Sequence, residues 1–97
     1  MILIGDIGGT NARFGIIEKN SSIIFSSIKN IQNLKCNDFE CFEDALNFYI
    51  KTIKHHPKII SLAVAGPVDD DKIIFTNNSW KFSKKKIKES HKLKKFL

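Results

Sequence analysis

The sequence has no apolar run long enough to cross a bilayer. Its longest, Ile59 to Ala65, is interrupted by Ser61. No basic segment precedes the apolar N-terminus, and Gly5 and Asp6 close that run at once, so a signal peptide is not expected. The expected location is the cytoplasm, with no membrane partner. Proline is scarce, at two residues, and there is no Pro-rich linker or internal repeat. With 97 residues and 42% hydrophobic content, the chain is expected to build one small core. The two cysteines, Cys36 and Cys41, do not form a Cys-x-x-Cys pair, and no histidine cluster completes a metal site. Both are read as reduced structural thiols.

Acidic charge is nearly missing from the last stretch. From residue 81 onward there are eight lysines and one glutamate, which carries the net charge of +6 for the whole chain. The preceding eighty residues are close to neutral. Such a run can contact nucleic acid or acidic lipid. Only Phe82 and Phe96 interleave with its lysines, which is poor provision for base stacking, so a solvated helix face is the reading adopted.

What is present is a pattern of short apolar segments with turns between them. Residues 2–7 read as a buried strand, residues 12–18 as a second and Ser22–Ile28 as a third, with turns at Gly8-Gly9 and Lys19-Asn20-Ser21. Short turns make these an antiparallel meander. Residues 29–37 look polar and irregular. Asn37, with Glu40 three residues on, suggests a capping box opening a helix. Phe39, Phe42, Leu46, Tyr49, Ile50 and Ile53 would share one face of it, and His55-His56-Pro57 would end it. Residues 58–65 read as a strand returning parallel to the first. Asp69-Asp70-Asp71 reads as a solvated turn and Ile73–Thr76 as a short strand. Trp80-Lys81-Phe82 reads as extended, with Ser83 capping a lysine-rich helix to about His91. The expected fold is α/β with a mixed sheet, β-β-β-α-β, then a short hairpin and a C-terminal helix.

The segment that carries chemistry is Gly5-Asp6-Ile7-Gly8-Gly9-Thr10-Asn11-Ala12-Arg13. A carboxylate ends the first strand, and two glycines and a hydroxyl follow. Without Cβ atoms, Gly8 and Gly9 let backbone N–H groups approach a phosphate. Thr10 and Asn11 add short donors. Asp6 can hold Mg²⁺ directly or through water. Arg13 can reach an anion or support the loop. This is not a Walker A loop, because no Gly-Lys-Ser/Thr follows and the next element is a strand. Nor is it the Gly-x-Gly-x-x-Gly dinucleotide fingerprint.

The same nine residues closely resemble the opening of the bacterial-type glucokinases. Two further segments support the resemblance: Ala63-Val64-Ala65-Gly66-Pro67-Val68, and Thr76-Asn77-Asn78-Ser79-Trp80-Lys81-Phe82-Ser83. The resemblance implies a ribonuclease H-like (actin-like ATPase) half-domain and ATP-dependent phosphorylation of glucose, with ATP and Mg²⁺ as cofactors. It implies that Gly5, Asp6, Ile7, Gly8, Gly9 and Thr10 line the ATP phosphates, with Asp6 at the metal. Asn77 and Trp80 would border the sugar, although the Trp80 indole is better suited to core packing. Dimers are implied for the family.

The resemblance also implies a catalytic aspartate in an Asn-Asp-Phe motif, following the Trp80 segment by one helix and a strand start. That strand is expected near Lys94–Leu97. Asn37-Asp38-Phe39 spells the motif too early in the chain and is read as a helix cap. Residues 1–97 are therefore expected to be the N-terminal domain of such a kinase, incomplete at its C-terminal end and inactive alone. Two alternatives remain: a stand-alone nucleotide-binding module that needs a partner chain, and a nucleic-acid binder acting through the basic tail.

Overall fold

In a computed structural model, residues 1–17, 28–64, 68–69, 72–74 and 80–96 are described. A five-stranded sheet organises them. Its strands are β1 (Ile2–Ile7), β2 (Asn11–Ile17), β3 (Ile28–Lys35), β4 (Ile59–Val64) and, following a short second sheet in the chain, β8 (Lys95–Phe96). Their order is β3-β2-β1-β4-β8. The first three strands pair antiparallel, and β4 lies parallel to both β1 and β8. The meander and the parallel return follow the sequence reading, and a strand does start near the end of the chain. A separate antiparallel sheet joins β5 (Val68–Asp69), β6 (Lys72–Ile74) and β7 (Lys81–Ser83) in that order.

Alternation along the strands decides which face is covered. Leu3 and Ile7 of β1 are fully buried, as are Ala12 of β2 and Ile60 of β4. Helix α1 (Phe42–Ile53) lies over this face and contributes Phe42, Ala45, Leu46, Tyr49 and Ile53 at helical spacing. Phe14 of β2 stacks on Tyr49 at 5.1 Å between ring centroids, and Phe42 stacks on Phe82 at 4.3 Å. These aromatic contacts join the sheet, α1 and β7 into one core. The Tyr49 hydroxyl donates to the Asn30 carbonyl at 2.8 Å, and burial pushes its pKa up to about 12.

Three expectations need correction. Residues 29–35 are not irregular: they form most of β3. The strand is hidden in the sequence because Ile28, Ile31 and Leu34 recur every three residues. A bulge absorbs the mismatch, since Phe14 and Ile16 pair with Gln32 and Lys29. Asn30 sits there at φ 55°, a left-handed conformation that asparagine tolerates better than most residues. The proposed start of β3 at 22–27 and the turn at 19–21 lie outside the described residues.

The second correction concerns the start of α1. Asn37 does not cap it. Cys36–Asp38 forms a 3-10 turn, Phe39 is extended, and α1 begins at Phe42 with Cys41 as its N-cap. Tertiary bonds override the local capping signal: the Cys36 N–H donates to Thr10 O, and the Trp80 indole N–H donates to Phe39 O. Glu43 and Asp44 in the first turn suit the positive end of the helix dipole.

The third is minor. The helix stops at Ile53 rather than at the histidines. Lys54 takes a left-handed conformation, φ 59°, and its N–H closes on Ile50 O.

The second helix, α2 (Lys84–Ser90), follows the sequence reading. The Ser83 side chain accepts a bond from the Lys86 N–H at 3.3 Å, and Ile87 is the helix's buried anchor. Beyond it, Lys94 N–H donates to Lys58 O at 2.7 Å and sets β8 beside β4. No helix among the described residues is long and apolar enough to cross a membrane.

Candidate phosphate-binding loop

The β1–β2 hairpin positions the loop that the sequence singled out. Ile7 pairs with Ala12, and Gly8 N–H donates to Asn11 O at 2.9 Å, which closes the turn around Gly9 and Thr10. Both Ile7 and Ala12 are fully buried, so the two strand ends are fixed in the core. Asp6, one residue before Ile7, points to the opposite side and is exposed, as are Thr10, Asn11 and Arg13. Asp6 and Arg13 are direct cross-strand partners, which puts opposite charges side by side at the strand ends.

These residues surround an open concavity of about 330 Å³ lined by Asp6, Gly8, Gly9, Thr10, Asn11 and Arg13. Of the residues expected to line phosphates, Asp6, Gly8, Gly9 and Thr10 come together here. Gly5 and Ile7 do not line it. Ile7 is core, and Gly5 is a close-packed strand residue: a Cβ there would meet Leu62 Cδ2 at 2.7 Å. Gly8 is different. A Cβ on Gly8 would meet only Asn11 O, at 3.6 Å, and its φ is not positive. Neither the turn nor the packing requires glycine at position 8; what its missing Cβ keeps open is space at the loop.

Behind the loop stands Cys36, 2% exposed. Its N–H donates to Thr10 O at 2.9 Å, and its thiol donates to Gly8 O at 3.5 Å. Burial pushes the thiol pKa upward, which keeps the donor proton in place at neutral pH. Sequence reasoning treated Cys36 only as a structural thiol. Its partners lie 26 and 28 residues away, and no local pattern announces them.

Of the two residues expected near a sugar, Asn77 lies outside the described residues. Trp80 is 3% exposed, lies 6.1 Å edge-on from Phe42 and gives its indole N–H to Phe39 O at 3.2 Å. It is a core residue whose polar atom is satisfied. Among the described residues no group of three His, Cys, Asp or Glu side chains could hold a metal ion. A cation at the loop would therefore depend on Asp6 together with ligand oxygens and water.

A meander whose first strand ends in a carboxylate and a glycine loop, one crossover helix and a parallel return strand define the ribonuclease H-like class of half-domain to which actin-like ATPases belong. Within that class, the chain belongs to the glucokinase family, whose family model matches residues 3–97. It is 41% identical over 99 residues to a glucokinase of Helicobacter pylori strain P12, covering 98% of this chain and 28% of that protein. To a glucokinase of Chromohalobacter salexigens it is 40% identical over 88 residues, covering 90% of this chain and 26% of that protein. A crystal structure of glucokinase from an Antarctic psychrotroph superposes with a TM-score of 0.86 at 32% identity, over 98% of this chain and 30% of that one. The chain thus spans less than a third of the length of these relatives.

Proposed function

We propose that this chain is the N-terminal, nucleotide-phosphate-binding part of an ATP-dependent glucose kinase. The observation that carries the reading is the concavity of about 330 Å³ at the β1–β2 turn, where Asp6, Gly8, Gly9 and Thr10 converge. The donor set fits the phosphates of ATP with Mg²⁺. Thr10 supplies a hydroxyl, and Gly8 carries no side chain to block approach. Asp6 supplies a hard oxygen ligand, direct or through water, and Arg13 beside it offers a fixed cation. Bound Mg²⁺ offsets phosphate charge during phosphoryl transfer. The chain's own residues orient the phosphates and limit their motion.

The residues that would take a proton from the sugar hydroxyl are not among these. Asn37-Asp38-Phe39 lies in and just after the 3-10 turn that ends β3, where it serves the turn. A positioned base contributes about 10²–10⁴-fold to such a step. The 97-residue chain alone is therefore proposed to bind Mg-ATP weakly without useful turnover of glucose. Titration calorimetry with Mg-ATP tests the binding half: wild type should show saturable binding, and Asp6→Ala should lose at least tenfold in affinity. Equal affinity in the two proteins overturns the role of Asp6. An assay for glucose 6-phosphate tests the other half, and turnover near an ordinary ~10 s⁻¹ overturns it.

A further inference from the structure

We infer that Cys36 is a positioning residue that sets the orientation of the loop's peptide groups, and so the direction in which the loop meets phosphate. This rests on the phosphate-loop reading, which it deepens. One residue grips the loop twice: its N–H holds Thr10 O at 2.9 Å and its thiol holds Gly8 O at 3.5 Å. A trans peptide carries its C=O and N–H on opposite edges. Drawing the Gly8 carbonyl back toward Cys36 therefore turns the amide edge of the Gly8–Gly9 peptide away from Cys36. The Thr10–Asn11 peptide is oriented in the same way. Gly8 and Gly9 are the residues of the loop with the widest conformational choice, so an outside restraint matters most there.

The chemistry of the side chain suits the task. A thiol is a weak donor, but a thiolate would repel a carbonyl oxygen. Burial of Cys36 at 2% exposure keeps it protonated and shields the contact from competing water. The 3-10 turn Cys36–Asp38 begins at this residue, and its own carbonyl is taken by Phe39 N–H at 3.1 Å. The grip is therefore anchored to the end of β3 rather than to a free strand end.

Three variants of the full 97-residue chain test this. Cys36→Ala removes the donor, Cys36→Val removes it while filling the space, and Cys36→Ser keeps a hydroxyl donor. The first readout is the amide shifts of Gly8, Gly9, Thr10 and Asn11 without nucleotide. The second is Mg-ATP affinity. In the Ala and Val variants the loop amides should shift more than those of the α1 core, and affinity should fall about three- to tenfold, the effect of one lost hydrogen bond. Cys36→Ser should restore both. Loop shifts and affinities that are alike in the Ser, Ala and Val variants overturn the inference, because packing alone would then explain them. If wild type binds no Mg-ATP, the nucleotide reading fails, while the loop shifts still decide whether the Cys36 donor orients the loop.

Discussion

The two ends of the central sheet use their polar residues in opposite ways. At the end formed by the β1–β2 turn, Asp6, Thr10, Asn11 and Arg13 are exposed around a concavity, and the contacts that hold them come from behind, through backbone groups and Cys36. At the other end, where β4 begins and α2 stops, the buried histidine is absorbed by structure. His91 is 8% exposed. Its Nε2 lies 2.7 Å from Asn47 Oδ1 on α1, and its Nδ1 lies 3.2 Å from Ile87 O. His56 reaches the His91 carbonyl, and the two imidazole rings stack at 6.3 Å. Both ends carry residue types that can do chemistry. Among the described residues, the loop end presents a carboxylate, a guanidinium and a hydroxyl to solvent around one concavity.

The lysines sharpen the contrast. Lys54, Lys58, Lys88, Lys92, Lys94 and Lys95 are exposed at or near the histidine end, so that end holds far more positive charge than the loop. If long-range attraction decided where an anion binds, ATP would go to the lysines. Screening over about 8–10 Å at ordinary salt, and the absence of a fixed donor geometry on long lysine stems, argue for the loop.

The largest expected effect of breaking the comparison is at the histidine end. His91→Ala removes the link between α1 and the end of α2 together with the buried ring that packs there. It should cost about 1–3 kcal/mol in urea unfolding with Mg-ATP affinity unchanged. Loss of affinity at full stability would reverse the roles assigned to the two ends.

Gly8→Ala should do the opposite. The fold accepts the Cβ, since its nearest contact is at 3.6 Å, but the methyl group enters the concavity proposed for phosphate. The expected result is an unchanged melting temperature with affinity about tenfold weaker, or about 1.4 kcal/mol. A large drop in melting temperature would mean that glycine is needed for the turn itself.

Tyr49→Phe sharpens the account of the core that supports both ends. It removes the bond to Asn30 O and should cost about 1 kcal/mol. The pH dependence gives a separate signature. The folded pKa is raised to about 12, above the value of about 10 expected for the unfolded chain. The stabilisation is thus complete below about pH 10 and declines as pH rises toward 12, because the unfolded chain sheds this proton first. The Phe variant should lack that part of the decline, as chemical unfolding across pH 8–11.5 can show.

The smallest expected effect is Ser83→Ala, which removes the α2 cap and should cost about 0.5–1 kcal/mol without altering affinity. Calorimetric melting checks it.

The sequence showed some of this plainly and some not at all. β1, β4 and the Ser83 cap were readable because local pattern and tertiary structure agree there. The loop was readable because its chemistry is contiguous in the chain. β3 was not, since the bulge at Asn30 breaks the period-two pattern. The start of α1 is not legible locally because Thr10 O and the Trp80 indole claim the turn that Asn37 would have capped. The Cys36 grip and the His91 link escaped for the same reason: each joins residues from separate elements, 26 to 44 positions apart, and nothing in their immediate neighbours records it.

The most direct test of the central claim is a residue-resolved nuclear magnetic resonance titration of the 97-residue chain with Mg-ATP at physiological salt. Saturable amide shifts are expected, confined to Asp6–Arg13 and Cys36, with His56, His91 and α2 unmoved. No shifts, or shifts centred on the lysines of α2 and β8, would contradict it.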